Sequence, residues 1–88
     1  MHVGLGRVMS IAEDAEGDVW FGMAQQGGGA WRYADVAGGS FTYFGAEHGL
    51  GGAVPSLDVD REGRLWFGTT EGVYYKEGER FVHLGKGE

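Results

Sequence analysis

The chain has no cysteine, so neither a disulfide nor a thiolate metal site holds it together. A single proline stands among 88 residues, whereas glycine occurs 19 times. No apolar run approaches the roughly 18 residues of a membrane-spanning helix, and no membrane partner is expected. Cations are scarce: seven Lys and Arg face 13 Asp and Glu, for a net charge of −6. A nucleic-acid partner calls for clustered cations, and these seven are scattered, so none is expected. The opening "MHVGLGRV" has neither the basic start nor the apolar stretch of a signal peptide, which implies a protein that stays in the cytoplasm.

What is present argues for a small all-β fold. Apolar residues make up 42% and aromatics 14%, too rich for disorder. They come as short segments separated by glycine, the pattern of turns between strands. The string "DAEGDVWFGM" at 14–23 returns as "DREGRLWFGT" at 60–69. With Trp20 set against Trp66, Val8 meets Val54, Ser10 meets Ser56, Ile11 meets Leu57 and Asp14 meets Asp60. Insertions then bring Gly29 into line with Gly72 and Phe41 with Phe81. Agreement in one phase over this length indicates a duplication.

Each copy reads as four strands. The first covers 8–13 and 54–59, and "DAEGD" or "DREGR" makes the turn that follows, with Asp accepting backbone N–H bonds and Gly at positive φ. "VWFG" and "LWFG" are apolar on both faces, as strands covered on both sides should be. "GAWRY" and "GVYYK" come third, "SFTYF" and "RFVHL" fourth. Four antiparallel strands at a 40–50-residue repeat are the pattern of a β-propeller blade. The run "VPSLDVDREGRLWFGTTEGVYYKEGERFVHL" closely resembles the two-component regulator propeller repeat, and the likeness covers nearly the whole chain. The first copy departs from it at "MAQQGGG", a longer loop than "TTEG". The resemblance implies tandem blades such as those in the extracytoplasmic, typically periplasmic, sensor regions of bacterial signalling proteins.

The expected architecture is therefore two four-stranded blades, 1–48 and 49–88. Two blades cover one interface and leave two apolar faces bare, at about 1.5–3 kcal/mol for each large side chain left in water. Patches of that size are association surfaces. Identical chains packing head to tail would close a ring, six-bladed as a homotrimer or eight-bladed as a homotetramer. The end "FVHLGKGE" and the start "MHVGLGRV" fall in phase with the internal junction "FTYFGAEHGLGGAV", as expected of a unit cut at a blade boundary.

Catalysis has no support in the residues: Ser10 and Ser56 recur in phase, as hydroxyls satisfying backbone groups do. Neither a catalytic residue nor a cofactor is expected. Asp14, Glu16 and Asp18 could suggest a Ca²⁺ loop, but Arg64 takes the place of Asp18 in the second copy, so a structural turn is the reading. His2, His48 and His83 lack the spacing of a zinc site, and no metal is assigned. Trp31, Tyr33, Tyr74 and Tyr75 alternate across the third strands, where packing between blades is the first explanation. The functional alternative is a rim site for a small polar ligand or peptide, built from Gln25 and Gln26 of the inserted loop with Trp31 and Tyr74 as stacking aromatics. The alternative to a binding module is a structural fragment of a larger sensor propeller with no ligand of its own.

Overall fold

The computed structural model describes residues 7–24, 28–35 and 38–84. The first sheet comprises β1 (Val8–Glu13), β2 (Val19–Met23), β3 (Ala30–Ala34) and β4 (Ser40–Phe44). The second comprises β5 (Ser56–Val59), β6 (Leu65–Thr69), β7 (Gly72–Glu77) and β8 (Arg80–Leu84). Each sheet is antiparallel with its strands in chain order. Among the described residues, no helix is long and apolar enough to cross a membrane. The one helical element among the described residues is a 3-10 turn at Ala46–His48, in the linker between the sheets.

The fifth strand begins two residues later than its sequence pattern predicts. Pro55 has no N–H to give a ladder. Val54 is already engaged across the sheets, its N–H donating to the Met23 carbonyl at 2.9 Å and its own carbonyl accepting the Ser10 hydroxyl at 2.9 Å. A register shift between Val8 and Ser10 in the first sheet is likewise not signalled by the apolar pattern.

The two Asp turns are built alike. Asp14 Oδ1 accepts the Glu16 and Asp18 backbone N–H groups, each at 2.9 Å, and Asp60 Oδ1 accepts those of Glu62 and Arg64 at 2.9 and 2.8 Å. Gly17 and Gly63 supply the left-handed corner at φ 87° and 83°. The other carboxylate oxygen reaches across the hairpin. Trp20 Nε1–H donates to Asp14 Oδ2 and Trp66 Nε1–H to Asp60 Oδ2, both at 2.8 Å. This bond ties each turn to the start of the strand that follows it.

Two expectations follow from that bond. Asp14→Ala strips two backbone N–H groups and the indole of a fully buried Trp20 of their acceptor, a loss of about 1–3 kcal/mol in urea unfolding. Asp60→Ala costs less, because water reaches the half-buried Trp66. The Asp60 carboxyl is held below the usual carboxylate range, by the Trp66 indole first and the Arg64 backbone N–H next. A depressed folded pKa contributes stability that is complete above the unfolded value and lost as pH falls through the folded one. Urea midpoints measured from neutral into acid buffer should therefore fall less steeply in Asp60→Asn than in the parent chain.

The core lies between the sheets. Trp20, Ala30 and Phe44 of the first sheet meet Leu65, Phe67 and Tyr74 of the second, and Leu50 and Val54 of the linker complete the cluster. Trp20 packs edge-on to Phe67 and Phe81, with ring centroids 5.5 and 6.4 Å away, and Phe81 stands 5.3 Å from Phe67 and 5.5 Å from Phe44. The sheets approach closely at Gly22, where a Cβ would fall on the Ser10 hydroxyl and the Val54 carbonyl.

Candidate interaction site

Strand alternation sends one half of each sheet into this seam and the other half away from it. On the first sheet the outward half comprises Ile11, Phe21, Trp31, Tyr33, Phe41 and Tyr43, aligned by the registers Phe21–Trp31–Tyr43 and Tyr33–Phe41. Its aromatics touch one another, Tyr33 to Phe41 at 4.9 Å and Trp31 to Tyr43 at 5.1 Å between centroids. Nothing in the described chain covers the patch: Ile11 is 63% exposed and Phe41 40%. On the second sheet the outward half comprises Trp66, Val73, Tyr75, Val82 and Leu84. Val73 and Leu84 are exposed, and Arg64 lies over the Tyr75 ring at 4.9 Å. The folded unit thus has apolar faces on both of its sides.

Each end of the sheets carries an open hollow. At one end the two Asp turns enclose an open cleft of about 190 Å³, with Asp14 and Glu16 opposite Arg64 and Lys76. At the other end the β2–β3 loop meets the linker. Gly29 N–H donates to the Gly52 carbonyl at 2.9 Å, and Thr70 N–H to the Ala53 carbonyl at 3.0 Å. A hollow of about 270 Å³ there is lined by Tyr43 and residues 45–48.

The candidate ligand residues fall in different places. Trp31 is half-buried on the open face of the first sheet. Tyr74 is inside the core cluster at 7% exposure, stacked on His83 at 4.3 Å and 9°. The two occupy equivalent places in the repeat, one on the open face and one on the packed one, so one chain does not bring them together. Gln25 and Gln26 lie outside the described residues. Tyr33 accompanies Trp31 on the open face of the first sheet, and Tyr75 lies on that of the second.

The remaining candidates have local roles. His48 Nδ1 accepts the Gly45 backbone N–H at 3.3 Å, and its ring sits 5.2 Å from Phe44. His83 Nε2 pairs with the Glu71 carbonyl at 3.0 Å, where an N–H donates, and Tyr43 donates its hydroxyl to the Gly28 carbonyl at 2.7 Å. These are the same contact in the two copies: the last strand of each sheet steadies a loop, β2–β3 in the first and β6–β7 in the second. His2 lies outside the described residues. Asp14, Glu16 and Asp18 bring carboxylate oxygens within 4.8 Å of one another. Asp14 already accepts three protein N–H groups, which accounts for its position as a turn residue.

Sequence reasoning did not find the Asp-to-Trp bonds. Their signal was available as an Asp six residues before a Trp in both copies. The family model for the two component regulator propeller matches residues 3–25 and 48–71. No curated protein and no solved structure matches the chain.

Proposed function

Since the chain belongs to the two component regulator propeller family, we propose that it is a non-catalytic propeller module that completes its ring with copies of itself. The observation that carries this reading is the pair of open apolar faces on opposite sides of one packed seam. Blades pack face to face, and each face left in water forfeits the burial of several large side chains. Three or four chains would bring the blade number to six or eight.

Such a ring would serve as a scaffold for recognition at its rim. The end carrying the β2–β3 loop and the linker favours a small polar ligand or peptide, because there the first copy departs from the repeat, with Gln25 and Gln26 in the added segment. No residue constellation in the described chain calls for covalent or acid–base chemistry.

Sedimentation equilibrium tests the assembly. Expected is a single species at three or four times the 9.5 kDa chain mass. A species at 9.5 kDa over the whole concentration range would remove self-assembly. The blades completing the ring would then have to come from elsewhere.

A further inference from the structure

The packed seam and the open faces are made of the same positions. Across the seam, the first sheet presents Ser10, Trp20, Gly22, Ala30 and Phe44. By strand register, the equivalents of these residues are Ser56, Trp66, Gly68, Val73 and Leu84, all on the open face of the second sheet. The second sheet presents Leu57, Phe67, Tyr74 and Phe81 to the seam. Their equivalents are Ile11, Phe21, Trp31 and Phe41, on the open face of the first sheet. Each open face is thus a copy of one side of an interface that already exists in this chain.

Building on the self-assembly proposed above, we infer that the open face of the second sheet docks on the open face of the first sheet of another copy, in the register of the internal seam. Trp66 then lies against Phe21 and Phe41 of the second copy, as Trp20 lies against Phe67 and Phe81. Leu84 meets Phe41 of the second copy, as Phe44 meets Phe81 at 5.5 Å. The Ser56 hydroxyl donates to the Val8 carbonyl of the second copy, as Ser10 donates to Val54. The contact is head to tail, so it repeats until rotation closes it.

Two positions make this seam weaker than the internal one. Ala12 and Val59 pack at the margin of the core cluster. Their equivalents are Asp58 and Glu13, which bring two carboxylates to the same margin of the seam between copies. Like charges at a closing interface oppose it.

Glycine gives a selective probe. At Gly22 an added Cβ meets the Val54 backbone, in the linker just before β5. At Gly68 it meets only the Ser56 side chain closely, which can rotate away, so Gly68→Ala folds as a single chain. In the docked pair that Cβ would strike Val8 of the second copy. Expected for Gly68→Ala is an unchanged circular dichroism spectrum with association weakened tenfold or more. Asp58→Ala should tighten association.

The absence of native cysteine allows a direct test of register. Chains carrying Phe41→Cys and chains carrying Leu84→Cys, co-expressed and treated with a short thiol crosslinker, should join to each other and not to their own kind. Crosslinking of like with like, or a Gly68→Ala chain that assembles as the parent does, would overturn this register and leave self-assembly standing. A parent chain that stays at single-chain mass would overturn both.

Discussion

Trp20→Ala is expected to remove a large share of the chain's stability and to move its urea midpoint sharply downward. Trp20 is fully buried and packs on Phe44 at 5.2 Å as well as on Phe67 and Phe81, so its removal opens a cavity at the centre of the only seam among the described residues. Truncating a buried Trp costs about 3–5 kcal/mol. Total stability for a chain of this size is of the order of 4–13 kcal/mol. The Asp14 carboxylate also loses the indole that it holds. Trp66→Ala is the matched control: the residue holds the same place in its repeat and makes the same bond to its Asp, yet faces away from the seam. It should lower the urea midpoint of the single chain far less and show its effect in the mass of the assembly proposed above. Equal losses in the two variants would mean that both Trp side chains are buried within one chain.

Gly22→Ala should be nearly as damaging, though it adds one methyl group. The new Cβ would sit 2.9 Å from the Val54 Cβ and on the Val54 carbonyl, and backbone on the opposite side of the seam cannot step aside as a side chain can. The sheets must separate or the Ser10-to-Val54 bond must break. Overpacking of this kind costs about 3 kcal/mol. Far-UV circular dichroism during urea unfolding measures it, and a midpoint equal to the parent's would mean that the sheets are not in contact at Gly22. Glycine recurs at this place in both copies, and at each a Cβ would fall on a serine hydroxyl of the same sheet, Ser10 or Ser56; the Val54 backbone is a second obstacle at Gly22 alone.

The strands and turns were legible because their causes are local. The recurring Asp and Gly mark the β1–β2 and β5–β6 turns, and the glycine φ of 87° and 83° is what the tight corner requires. The fourth strands match their predicted bounds. The start of β5 was not legible, since Val54 carries a strand-like side chain while its backbone bonds to the other sheet. The roles of Tyr43 and His83 were hidden for a similar reason: both reach loop carbonyls 12 or more residues away in sequence, which residue type alone does not announce.

The pattern of residues by itself determined two antiparallel four-stranded sheets, their order along the chain, and the Asp-Gly turns, because side-chain alternation and turn chemistry act over a few neighbours. It also placed Trp31 and Tyr74 on third strands. Only the tertiary structure decided which of two matched residues is hidden. Trp20 and Trp66 share their local setting, as do Trp31 and Tyr74, yet Trp20 and Tyr74 are in the core while Trp66 and Trp31 look outward. Burial depends on what stands opposite a face, and that is fixed by the stacking of one sheet on the next.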